Sequence, residues 1–172
     1  MKSGLQQGHA DGLCGIYAIL NFLCDCAEWK SEKPDDALRY VLDAVHSFGW
    51  LTPYTLTAGF EAYQLRAILD RLFDNYRMGF RAVPLQDVVR GHPKLAAYEL
   101  LKALLDKDCA VICGHDSAHW LLLKTTKAGH AVWDSSNPEK PSKKFDGRLA
   151  AFSLESGVVM VPTSAPVAEI TL

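Results

Sequence analysis

Apolar residues recur at helical spacing in the first half of the chain and at strand spacing in the second half. After Cys14 the apolar residues that share one helical face are Ile16, Ile19, Leu20 and Leu23. This pattern predicts a helix that begins at Cys14, with Asp11 or Gly12 as its N-cap. The helix places a thiol in its first turn.

Four further helices are predicted before the pattern changes. The second begins at Asp35 and ends at Gly49, and its apolar face is formed by Leu38, Val41, Leu42 and Val45. The third covers residues 57–76, with apolar positions Tyr63, Ile68, Leu69, Leu72, Phe73 and Tyr76. After a short strand at 80–83 and a short helix at 84–89, a longer helix starts at Pro93. Its inner side is formed by Leu95, Tyr98, Leu101, Leu104 and Leu105.

From residue 109 onward the pattern is typical of extended chain. Mainly apolar runs of strand length occur at 109–113, 120–124, 130–133 and 157–161, and Phe145 and Phe152 mark further extended pieces. We therefore expect a single α+β domain over residues 1–172, with an N-terminal helical half packed on a C-terminal antiparallel sheet.

Composition narrows the functional classes. The chain is 49% hydrophobic and 22% charged, and its formal net charge is -2. No basic run indicates a nucleic-acid or membrane partner, and no segment has the length of a membrane span or the layout of a secretion signal. We expect a cytoplasmic protein.

The five cysteines do not form an obvious disulfide or metal framework. Their number is odd, and Cys24, Cys26, Cys109 and Cys113 lie in apolar segments with spacing unsuited to zinc. We expect these four to pack in the core, and we expect neither a metal nor a cofactor.

Cys14 is the candidate nucleophile. The N-terminus of a helix favours an anion, which makes a thiolate easier to form there. Gly8 and Gly12 allow a sharp turn whose backbone amides could stabilise an oxyanion. The alternative interpretation is a small buried hydrophobic residue at a helix start.

A thiolate nucleophile needs a base, and the base needs a group that orients it. His119 precedes the strand at 120–124, and Asp134 follows the strand at 130–133. If a turn at 127–129 joins these strands, His119 and Asp134 lie close together. His115 is a rival base in the loop before His119. The remaining histidines, His9, His46, His92 and His130, are interpreted as surface or packing residues.

These residues resemble those of the papain-like cysteine peptidases. Asp11-Gly-Leu-Cys-Gly15, His119-Trp120 before an aliphatic strand, and Asp134 before a proline-containing loop look most like bacteriocin-leader (double-glycine) peptidases and Josephin-like domains. The sequence Asp-Gly-x-Cys is also similar to that of ovarian-tumour deubiquitinases. The resemblance implies a papain-like fold and a Cys14-His119-Asp134 triad.

The resemblance also implies roles for residues around the triad. A glutamine upstream of the cysteine would donate to the oxyanion; Gln7 has one residue more than the usual spacing, and Gln6 is the alternative. Trp120 would shield the histidine and aspartate from water. Gly12, Trp50 and Trp120 are candidate substrate-binding residues, although core packing is the competing interpretation for Trp50 and for its neighbour Tyr54.

The expected function is a cysteine hydrolase that cleaves a peptide or isopeptide bond in a peptide or protein substrate, for example at a Gly-Gly or ubiquitin-like tail. Glutamine deamidation and acyl transfer use the same groups. A non-catalytic peptide-binding module and an interaction domain with a coincidental triad are the remaining alternatives.

Overall fold

A computed structural model of the chain describes residues 12–24, 34–92, 95–115, 119–135, 142–145 and 152–164. Six helices and six strands lie within these ranges. The helices are α1 (Cys14–Leu23), α2 (Pro34–Ser47), α3 (Pro53–Ala58), α4 (Ala62–Tyr76), α5 (Leu85–Gly91) and α6 (Ala97–Asp106). The strands are β1 (Phe80–Pro84), β2 (Ala110–His115), β3 (His119–Thr126), β4 (Gly129–Trp133), β5 (Ser142–Lys144) and β6 (Phe152–Pro162).

The six strands form one sheet in the order β1-β6-β2-β3-β4-β5, and every neighbouring pair is antiparallel. The strand β6 lies inside the sheet, between β1 and β2. It passes β2 closely at Gly157, where a Cβ atom would lie 2.7 Å from the carbonyl oxygen of Ile112. A glycine is needed at this position because any side chain would collide with the neighbouring backbone.

Side chains alternate between the two faces of the sheet, as the period of a β-strand requires. Ile112 and Leu122 join one buried cluster, which includes residues of α1, α2 and α4. Val111 and Leu123, one residue away in each strand, join a second cluster with α5 and α6. The predicted α+β class is confirmed. Helices cover both faces of the sheet, since α1, α2 and α4 pack on one face and α5 and α6 pack on the other. The predicted packing of an N-terminal helical half on the sheet therefore accounts for only one of the two faces.

The single helix predicted over residues 57–76 is wrong. The chain forms the short helix α3 and then α4, separated at Gly59, whose φ of 91° is incompatible with a continuing helix. Thr52 caps α3, because its hydroxyl accepts a hydrogen bond from the Thr55 amide and Thr55 reciprocates. Tyr54 is 75% exposed, so the interpretation of this residue as a core residue is also wrong.

Four of the predicted inner positions face solvent instead. The buried apolar positions of α4 and α6 are leucine, isoleucine and phenylalanine, whereas four apolar residues in or just before these helices are exposed: Tyr63, Tyr76, Leu95 and Tyr98. The helix predicted from Pro93 begins at Ala97, and Pro93 itself lies outside the described residues.

Two cysteines pack as predicted. Cys109 and Cys113 are buried and Cys24 is partly buried, while Cys26 lies outside the described residues. The four cysteines in the described ranges are free thiols.

No helix in the described ranges combines the length and the apolar character that crossing a membrane requires.

Candidate active site

The first residue of α1 is Cys14, as predicted, but the N-cap is Leu13 rather than Gly12. Asp11, the other predicted N-cap, lies outside the described residues. The first turn closes with a 2.9 Å hydrogen bond from the Tyr17 amide to the Leu13 carbonyl. Because leucine has no side-chain acceptor, the N-cap side chain leaves the positive end of the helix uncompensated. The Cys14 sulfur lies at this end.

The β3–β4 hairpin brings His119 and Asp134 together through its register. Leu122 pairs with Trp133, so Asp134, the next residue, would face Leu121. His119 is two residues before Leu121 and on the same side of the strand, which makes it a diagonal neighbour of Asp134. The Nε2 atom of His119 lies 2.8 Å from the Oδ1 atom of Asp134. The predicted pairing of these two residues is confirmed.

The third residue of the predicted triad meets the same imidazole. The Cys14 side chain forms a hydrogen bond with His119. Since Nε2 is occupied by Asp134, Nδ1 is the ring nitrogen that remains for the sulfur. The imidazole is therefore held from both sides, by a carboxylate and by a thiol at a helix N-terminus.

The two partners change the protonation of the imidazole. The hydrogen bond that His119 donates to Asp134, followed by the hydrogen bond with Cys14, raises the pKa of His119 to about 9, while partial burial acts in the opposite direction. An imidazolium is therefore the favoured form at neutral pH. The Cys14 sulfur therefore lies beside a positively charged group.

The solvent-facing part of the site is the imidazole and carboxylate rather than the sulfur. Cys14 is 4% exposed, whereas the side chains of His119 and Asp134 are 25% and 23% exposed.

Gly12 and Trp120, predicted to bind substrate, are engaged within the protein. The Gly12 amide donates a 2.8 Å hydrogen bond to the carbonyl of Leu56, and the Trp120 Nε1–H donates one of 2.8 Å to the carbonyl of Phe60. The Trp120 ring also packs against α1, because its Cδ1 atom lies 3.2 Å from the position that a Cβ at Gly15 would occupy. His119 and Trp120 are consecutive in a strand, so their side chains point to opposite faces.

Trp50 lies in an aromatic cluster. Its ring stacks on Phe48 with a centroid separation of 4.6 Å and meets the edge of Tyr63 at 6.0 Å. Its carbonyl accepts a hydrogen bond from the Thr55 hydroxyl. None of these contacts joins Trp50 to Cys14, His119 or Asp134, and its partly buried position against the helical core agrees with the packing interpretation.

Three further residues were considered for the site from the sequence: Gln7, Gln6 and His115. Gln7 and its alternative Gln6 lie outside the described residues, so their predicted oxyanion role stays a prediction. The rival base His115 is the last residue of β2, and its backbone pairs with that of His119.

A second histidine–carboxylate pair was missed by sequence reasoning. The Nε2 atom of His130 lies 2.8 Å from Oδ1 of Asp106, and Nδ1 lies 3.2 Å from the Thr125 hydroxyl. Lys102 contacts the other oxygen of Asp106 at 3.0 Å. The helical spacing of Lys102 and Asp106 was the available signal, but nothing in the sequence places the end of α6 beside β4.

No set of three or more histidine, cysteine, aspartate and glutamate residues in the described part of the chain is arranged to hold a metal ion. Comparison with known proteins finds no family model, no curated protein and no solved structure that matches this chain.

Proposed function

We propose that the protein is a cysteine hydrolase that acts on a peptide or isopeptide bond through Cys14, His119 and Asp134. The observation that supports this proposal is that the His119 imidazole forms two hydrogen bonds, one with Asp134 at 2.8 Å and one with the Cys14 thiol. A nucleophile thus contacts a base, and the base contacts a group that orients it, which is the arrangement that nucleophilic catalysis requires.

The proposed reaction has two steps. The Cys14 thiolate attacks the carbonyl carbon, and the imidazolium of His119 gives its proton to the leaving amine as the carbon–nitrogen bond breaks. Water, deprotonated by the neutral imidazole, then attacks the thioester and releases the acid and the free thiol. Asp134 keeps Nδ1 directed at the sulfur by holding Nε2. Gln7 and the Cys14 amide are proposed to bind the oxyanion.

A papain-like fold is part of the same proposal. A helix that begins at the cysteine and an antiparallel sheet that carries histidine and then aspartate support this assignment. The free thiols of the described residues are consistent with a reducing compartment, and we propose a cytoplasmic location.

The proposed substrate is a peptide or protein, and a chain ending in Gly-Gly or a ubiquitin-like tail is the first class to test. Glutamine deamidation and acyl transfer would pass through the same thioester. The product identifies which occurs: a new amine and acid in hydrolysis, ammonia in deamidation, and a new amide in transfer.

The first test is covalent labelling by electrophilic probes built on a Gly-Gly peptide and on a ubiquitin-like C-terminus, followed by intact mass and peptide mapping. We expect one label, at Cys14, and no label in Cys14→Ala. Cys24→Ala is the matched control, because it removes a thiol at the other end of the same helix. Cys109 and Cys113 should stay unlabelled, since burial raises the pKa of both thiols.

A folded protein in which neither probe nor iodoacetamide modifies Cys14 faster than Cys24 would contradict the proposal. Labelling by iodoacetamide without labelling by either probe would support an activated thiol and reject these two substrate classes.

A further inference from the structure

The five residues 56–60 contact the chain close to Cys14 and also close to His119. At one end the carbonyl of Leu56 accepts from the amide of Gly12, two residues before Cys14, at 2.8 Å. At the other end the carbonyl of Phe60 accepts from the indole of Trp120, the residue after His119, at 2.8 Å. One short segment therefore joins two parts of the sequence that are more than a hundred residues apart.

From these contacts we infer that residues 56–60 are a positioning brace that sets the distance between the Cys14 sulfur and the His119 imidazole. The inference extends the proposed function. It assigns to Trp120 a role other than shielding or substrate binding: its N–H group fixes the start of β3 relative to the start of α1. Leu56 and Phe60 act only through their carbonyl oxygens.

The brace has little freedom to move at its Gly12 end. A Cβ atom at Gly12 would lie 2.5 Å from the amide nitrogen of Gly59, and a Cβ at Gly59 would lie 3.1 Å from the carbonyl oxygen of Gly12. The two backbones are thus in direct contact, and both positions require glycine. Gly59 also has a φ of 91°, which disfavours any other residue.

The brace is anchored on both sides along the chain. Before it, the reciprocal hydrogen bonds of Thr52 and Thr55 cap α3. After it, Glu61 accepts the first hydrogen bonds of α4, from the amides of Gln64 and Leu65. Leu65 then packs against Gly15, where a Cβ would lie 2.8 Å from its Cδ2 atom. A displacement of the brace would therefore move α1 relative to β3.

The first test compares Trp120→Phe with Trp133→Phe. Both substitutions shrink a tryptophan whose ring packs on the same face of the sheet, but only the Trp120 N–H has a hydrogen-bond partner, since Nε1 of Trp133 has none among the described residues. We expect Trp120→Phe to lower the rate of Cys14 alkylation by iodoacetamide at neutral pH about tenfold, relative to the rate at alkaline pH. Trp133→Phe should leave this ratio unchanged.

The second test compares Gly59→Ala with Gly49→Ala. Both glycines have positive φ, 91° and 70°, but nothing lies within 4 Å of a Cβ at Gly49. Both variants place an alanine at positive φ; the strain is larger at Gly59, whose ψ is -169°, and only Gly59→Ala also disturbs the contact with Gly12. We expect only Gly59→Ala to lower the alkylation ratio.

The readout is the pH profile of Cys14 alkylation, with melting temperature measured in parallel. A merely structural role would lower the melting temperature of Trp120→Phe without changing the profile, and this result would overturn the brace. Equal changes in Trp120→Phe and Trp133→Phe would overturn it as well. His119→Ala separates the two proposals: if its profile equals that of the unsubstituted protein, the proposed function fails, whereas a changed profile in His119→Ala alone rejects only the brace.

Discussion

A histidine–aspartate pair lies at each end of the β3–β4 hairpin, and the hydrogen-bond distance is the same in both pairs. His119 and Asp134 lie at the open end, and His130 and Asp106 lie near the turn; in both pairs Nε2 and Oδ1 are 2.8 Å apart. The pairs differ in what meets Nδ1. At the open end it is a thiol at a helix N-terminus, and near the turn it is the hydroxyl of Thr125.

The comparison shows that a histidine–carboxylate pair does not by itself define a catalytic site. The carboxylate of Asp106 is shared with Lys102, and the hydrogen bond from Lys102 is the main cause of its lowered pKa, followed by that from His130. The carboxylate of Asp134 instead binds an imidazole that, in the proposed mechanism, serves the nucleophile Cys14. The third partner determines which pair can perform chemistry.

The largest expected effect comes from replacing each histidine. His119→Ala should lower the rate of probe labelling at Cys14 about a thousandfold at neutral pH, because the thiol loses its base and its counter-charge. His130→Ala should leave the rate within the error of the measurement. Intact-mass kinetics on both variants test this contrast, and equal losses would show that the hairpin acts as one structural unit.

The next effect is on stability as a function of pH. The pKa of His119 is raised from its ordinary value of 6.5 to about 9, so the stabilisation from this pair is complete below 6.5 and is lost as the pH rises through 9. The free energy of unfolding should fall by about 3 kcal/mol over this interval. Urea unfolding at a series of pH values measures it. His119→Ala should abolish this fall.

The pair of His130 and Asp106 is expected to change the stability with pH in the opposite direction. The pKa of Asp106 is lowered, so its contribution is present above its unfolded value and is lost in acid. The alkaline fall in stability should therefore persist in Asp106→Asn. An alkaline fall that disappears in this variant would mean that the second pair, and not the first, titrates there.

The smallest expected effect compares the two carboxylates. Asp134→Asn should lower the labelling rate of Cys14 about tenfold, because an amide can still orient the imidazole but no longer stabilises its charge. Asp106→Asn, the same substitution at the other end of the hairpin, should have no effect on labelling. A rate unchanged in Asp134→Asn would remove Asp134 from the proposed mechanism.

The sequence predicted those parts of the molecule that depend on side-chain period. The helical face after Cys14 predicts the helix α1. The two strand-length runs on either side of the 127–129 turn predict the hairpin that brings His119 to Asp134. The break between α3 and α4 was not predicted, because the apolar spacing continues across Gly59 and only its positive φ ends the helix.

The brace was not predictable for a different reason. Both of its acceptors are backbone carbonyls, of Leu56 and Phe60, and every residue type supplies the same carbonyl. The sequence therefore does not indicate which carbonyl accepts the hydrogen bond from the Trp120 N–H. The second histidine pair depends similarly on how α6 lies against the sheet, which no local pattern encodes.

The position of β6 inside the sheet has a consequence for the chain as it is synthesised. The ribosome makes Cys14 105 residues before His119, and β6, which lies between β1 and β2 in the sheet, comes later still. Closing such distant contacts costs chain entropy that only the assembled sheet repays. On the proposed function, an incomplete chain thus carries the cysteine as an ordinary thiol, and reactivity arises only with the finished fold.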